Sequence, residues 1–114
     1  MYKPLPDNVR LARSPINGFG LFAATDIPAN TVLGITHVSH YLFAHGWIRT
    51  PLGGYYNHSD EPNCILQERQ LVDPDDALVI KTLRDVKENE ELTCFYTIWD
   101  IEEIRQHSEF LPVL

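Results

Sequence analysis

Asn57-His58-Ser59-Asp60-Glu61-Pro62-Asn63-Cys64 is the stretch on which the reading of this chain turns, together with Glu90-Glu91-Leu92-Thr93-Cys94-Phe95-Tyr96 downstream. Alone, the first string is a polar turn, because Asn, Ser and Asp side chains satisfy backbone groups where the chain reverses. The second passes from two carboxylates into a β-branched and aromatic run that suits a strand. Upstream, Asn17-Gly18-Phe19-Gly20-Leu21-Phe22-Ala23 begins on Asn-Gly, a tight-turn signal, and continues as a strand.

Around these strings the pattern is one of short strands and frequent turns. Residues 9–12 and 20–23 flank the turn-rich Ser14-Pro15-Ile16-Asn17-Gly18, and residues 31–35, 77–82 and 91–96 add three further apolar runs. Asp26-Ile27-Pro28-Ala29-Asn30-Thr31-Val32-Leu33 is echoed 59 positions later by Asp85-Val86-Lys87-Glu88-Asn89-Glu90-Glu91-Leu92. Each copy is expected to connect two strands, with its Asn taking the left-handed backbone conformation usually left to Gly. From Asp100 the pattern changes: Asp100-Ile101-Glu102-Glu103 resembles a capping box and predicts a short helix over about 100–109, followed by an apolar tail. Residues 37–56 show no clean period, and no element is assigned there.

Bulk properties bound the answer without choosing it. A chain of 114 residues holds one domain, 1–114. A hydrophobic content of 44 % argues for a folded globule. No apolar stretch approaches the roughly 20 residues that span a bilayer, so a soluble, intracellular protein without membrane association is expected, cytoplasmic or nuclear. Nine basic against sixteen acidic residues leave a formal charge of −7, which disfavours direct nucleic-acid binding and favours basic partners. Cys64 and Cys94 form no C-x-x-C pair, so neither a disulfide framework nor a thiolate zinc site is expected.

Taken in order, the three strings resemble the signatures of the SET-domain protein lysine methyltransferases: the glycine-rich turn, N-H-S-x-x-P-N-C, and E-E-L-T-x-x-Y. The resemblance covers a core over about 9–99 and implies a mostly β fold, a β-clip of small sheets with a threaded C-terminal segment and a short C-terminal helix. It implies S-adenosylmethionine as cofactor and methyl transfer to a lysine amine of a protein substrate, a histone or another basic protein. By the same resemblance Tyr96 is the catalytic residue. Asn17, Gly18 and Phe19 form the cofactor turn, Asn57 binds the amino group of the cofactor's methionine part, and the His58 backbone pairs with the adenine edge. Trp99 either stacks on adenine or packs in the core. No metal is implied.

The chemistry explains why such residues are needed. A lysine nitrogen attacks a sulfonium methyl only when neutral, in line and shielded from water. With a pKa near 10.4, roughly one free lysine in a thousand is neutral at physiological pH. A neighbouring sulfonium and an apolar channel both lower that value, so a narrow slot with a polar tip suffices where a strong base would otherwise be needed. A tyrosine can wall the stem and orient the amine.

Three departures from the family pattern stand out. Gly54-Tyr55 replaces the Arg-Phe before Asn-His, the insert between Ile35 and Asn57 is short, and no cysteine-rich segment follows Tyr96. The C-terminal helix or a second subunit, as in a homodimer, would then have to close the site. The small size suggests a viral or microbial source. Two other classes stay open: a degenerate module that binds a basic peptide or the cofactor without turnover, and a metal-dependent hydrolase using His37, His40, His45, His58 and the cysteines Cys64 and Cys94. The latter lacks the H-E-x-x-H pattern.

Overall fold

In the computed structural model, described for residues 3–39, 47–70 and 76–95, the chain runs through eight strands and one short helix. They are β1 (Val9–Arg13), β2 (Phe19–Ala23), β3 (Val32–Ser39), β4 (Trp47–Arg49), α1 (Pro51–Gly54), β5 (Asn57–His58), β6 (Cys64–Gln70), β7 (Asp76–Thr82) and β8 (Glu91–Cys94). Spatial order is β1-β2-β8-β6-β7-β3-β4, with β5 laid beside β8. The mostly β architecture expected from the sequence is present. The expected C-terminal helix and the threaded segment lie outside the described residues.

β8 is the strand that joins the halves of the molecule. Its first residues pair antiparallel with β2, Leu21 opposite Leu92 and Phe22 opposite Glu91. Its last residues pair parallel with β5, Asn57 opposite Thr93 and His58 opposite Cys94. Cys64 of β6 also lies opposite Cys94. Leu21, Ile27, Ile80, Val86 and Leu92 are buried together with Cys64 and Cys94 in one core. Both thiols are free, and desolvation pushes them up, that of Cys64 to about 12, so they serve as small apolar fillers rather than nucleophiles.

The echoed segments pack against each other as reciprocal turns. Ile27 and Val86 exchange both backbone hydrogen bonds, at 2.7 and 2.8 Å. Asp85 Oδ1 accepts from Ala29 N at 2.9 Å, while Asp26 Oδ1 accepts from Glu88 N at 2.8 Å. Asn30 N donates to Thr82 O and Asn89 N to Ala23 O, which are again positions 59 apart. Asn30 and Asn89 have φ of 62° and 74°, so both take the left-handed conformation that their spacing predicted. The two turns are local solutions that also satisfy one another's carboxylates.

Within the unassigned middle, β3 continues to Ser39, β4 returns along it, and α1 follows. Thr50 caps α1: its carbonyl and hydroxyl accept from Gly53 N at 2.9 and 3.3 Å, and Pro51 occupies the first turn. Gly53 is required by packing, because a Cβ there would collide with the Thr36 carbonyl of β3. One turn of helix is too short for a 3.6-residue period to register, which explains its invisibility in the sequence.

Asn63 supports the loop before β6. It is 3 % exposed; its Oδ1 accepts from Thr93 N at 2.9 Å and its Nδ2 donates to Glu91 O at 2.8 Å. Asn63→Ala strands both backbone groups of β8 and is expected to cost about 2 kcal/mol. Urea denaturation measures this; a loss within error of zero would mean that β8 does not depend on Asn63.

Candidate functional site

The turn before β2 is built by Ser14. Its backbone N donates to Gly18 O at 2.7 Å, and its Oγ accepts from Ile16 N at 2.9 Å. Gly18 has φ of +50°, with open space around it, so backbone conformation alone selects glycine there. The Asn17 and Phe19 carbonyls of this turn face β5. Asn57 Nδ2 donates to Asn17 O at 3.1 Å and stands 3.4 Å from Phe19 O.

A third acceptor meets the same nitrogen: Glu91 Oε2 at 2.9 Å. Three oxygens that can only accept therefore surround one end of the Asn57 amide, which assigns that end as NH2 and directs Oδ1 away from them. Among the described residues, Oδ1 accepts no hydrogen bond. The Glu91 carboxylate is held on its other side by Ser14 Oγ, at 2.9 Å from Oε1 and 2.8 Å from Oε2. Gly20 makes room for it, since a Cβ at Gly20 would strike the Glu91 carboxylate and come within 3.1 Å of Asn57 Nδ2. The second glycine of the turn is thus needed for a carboxylate from β8.

His58 follows on β5, half-buried. Its Nε2 is 2.9 Å from Asp60 Oδ1, and its ring lies tilted by 53° against Phe95 with centroids 5.1 Å apart. Phe95 is 59 % exposed and immediately precedes Tyr96. Of the residues singled out from sequence, Asn17, Gly18, Phe19 and Asn57 thus converge, with His58 next along β5. Tyr96 and Trp99 lie outside the described residues. Glu91 and Ser14 were not singled out. Glu91 stood within a quoted motif, but nothing in its spacing reveals that its side chain reaches across to β5.

The arrangement fits a cationic ligand carrying an ammonium group. It offers the Asn57 amide oxygen, with the Glu91 carboxylate behind the amide nitrogen and no Lys or Arg among the described residues paired with that carboxylate. A separate cleft of about 390 Å³ between the N-terminal segment and β3, lined by Lys3, Leu5, Leu33, Ile35 and Leu52, shares no residue with this site. No three His, Cys, Asp or Glu side chains among the described residues gather as a metal site, and His40 and His45 lie outside them. Nor is any helix among the described residues long and apolar enough to cross a membrane.

Comparison with known proteins places the chain by sequence and by fold. The chain is 32 % identical over 125 residues to the human histone-lysine N-methyltransferase 2D, covering 85 % of this chain and 2 % of that protein. It is 32 % identical over 124 residues to the Drosophila melanogaster histone-lysine N-methyltransferase trr, covering 85 % of this chain and 5 % of that one. The chain therefore spans only a small fraction of the relatives that it matches. The fold is shared with the methyltransferase domain of human PR domain-containing protein 2, at a TM-score of 0.59 and 20 % identity over 82 % of this chain and 79 % of that one. The SET domain family model matches residues 35–97, more than half of the sequence, and the chain belongs to the SET-domain family.

Proposed function

We propose that this protein transfers a methyl group from S-adenosylmethionine to the side-chain amine of a lysine in a basic protein such as a histone. The observation that carries this reading is the convergence of the Asn57 amide, the Asn17 and Phe19 carbonyls and β8, the strand that leads into Tyr96. Bound S-adenosylmethionine supplies an electrophilic methyl on a sulfonium. Asn57 Oδ1 would accept from the ammonium of its methionine part, and the turn of Asn17, Gly18 and Phe19 would lie along that part. The His58 backbone would meet the adenine edge, with Trp99 a candidate to stack there.

Tyr96 would wall the lysine stem and orient the neutral amine with its hydroxyl. No strong base is needed, because desolvation and a nearby positive charge both favour the uncharged amine. A formal charge of −7 favours encounter with basic substrates. The setting proposed is intracellular, cytoplasmic or nuclear.

Calorimetry with S-adenosylhomocysteine and a radiolabelled methyl-transfer assay on core histones and other basic proteins test this reading. Binding with label transferred to lysine is expected. Binding without transfer to any protein would favour a module that holds cofactor or peptide without turnover, a reading supported by Gly54-Tyr55 standing where the family carries Arg-Phe. Absence of S-adenosylhomocysteine binding would remove the methyltransferase reading and leave only a module that holds peptide.

A further inference from the structure

We infer that Glu91 is a positioning residue for the cofactor site, acting through Asn57 and Ser14 rather than on the ligand itself. The inference rests on the methyltransferase reading and goes beyond it. Asn57 can face a ligand with its amide oxygen only while its nitrogen is occupied, and of its three acceptors Glu91 Oε2 is the nearest, at 2.9 Å. The other two belong to the turn, which Glu91 also secures through Ser14 Oγ. Ser14 Oγ in turn accepts from Ile16 N, so one carboxylate connects the start of the turn, the β5 amide and β8. Gly20 leaves the space in which that carboxylate sits. Gly54 stands where the family pattern has an arginine, and among the described residues no cation pairs with Glu91. The carboxylate is therefore left to these two neutral donors, which it orders.

The test compares two ligands by calorimetry. S-Adenosylhomocysteine carries the amino-acid part that Asn57 would recognise; 5′-methylthioadenosine lacks it. Glu91→Ala is expected to weaken S-adenosylhomocysteine about tenfold and to leave methylthioadenosine within about threefold. Glu91→Gln retains an acceptor for Asn57 and a partner for Ser14, and should restore most of the affinity. Should Glu91→Ala not fold, Ser14→Ala at the rim carries the same test, with a loss of about threefold confined to S-adenosylhomocysteine. Equal losses for both ligands, or no loss for either, would overturn the inference while wild-type binding left the methyltransferase reading standing. Failure of the wild-type protein to bind S-adenosylhomocysteine would instead overturn that reading, and this inference with it.

Discussion

Tyr96→Phe is expected to lower the rate of methyl transfer by about a hundredfold, with cofactor affinity nearly unchanged. The substitution deletes one oxygen and keeps the ring, so packing along the lysine stem survives. What would be lost is the hydrogen bond proposed to hold the amine in line with the breaking bond, and misplacement at that point would fall on the chemical step. Single-turnover methylation with saturating cofactor measures the chemistry, and calorimetry with S-adenosylhomocysteine measures binding. Full turnover in the variant would remove Tyr96 from the mechanism. A matching loss of cofactor binding would assign the hydroxyl to the cofactor pocket instead. The expectation draws on sequence order and on one structural feature: Tyr96 follows Phe95, whose ring packs on His58 beside the Asn57 site.

Acidification is expected to destabilise the fold through His37. This residue is 2 % exposed, and desolvation, aided by the Arg49 charge on the adjacent strand, lowers its pKa from 6.5 to about 4. Thr36 Oγ1 donates its only proton to Leu78 O at 3.1 Å, so its lone pair accepts from His37 Nδ1 at 2.9 Å, and the neutral Nδ1–H tautomer follows. The unfolded chain takes up a proton as the pH falls through 6.5, whereas the folded protein resists until about 4. Stability is therefore complete above the unfolded value and declines across that window, by roughly 3 kcal/mol at its lower end. Urea midpoints for the wild type and His37→Gln between about pH 7 and pH 4.5 separate this group from the carboxylates, which titrate in both proteins. The variant should lose less stability on acidification. Parallel curves would show that His37 is not the group responsible.

Legibility in the sequence tracked the length scale of each feature. β1, β2, β3, β7 and β8 were all predicted, because each places a short apolar, mostly β-branched or aromatic segment next to turn residues, β1 through Val9 and Leu11. β8 ends at Cys94, short of the predicted end at Tyr96, which lies outside the described residues. β6 was missed: beyond Cys64, Ile65 and Leu66 it reads Gln-Glu-Arg-Gln, and only pairing with β7 makes that polar stretch a strand. α1 was missed because Pro-Leu-Gly-Gly has no helical period, and it exists by virtue of the Thr50 cap and its contact with β3.

By itself the sequence determined the family and the local backbone: three ordered motifs, the glycine turn, and the echoed Asp…Asn connections whose left-handed asparagines follow from chain chemistry between near neighbours. Tertiary structure alone decided which side chains act together. Glu91 lies 34 positions from Asn57 and 77 from Ser14, and they meet only because β8 is shared between β2 and β5. No local propensity encodes such a meeting. It arises when the core closes around Leu21 and Leu92, and the carboxylate that orders the site is carried there by the burial of its neighbour.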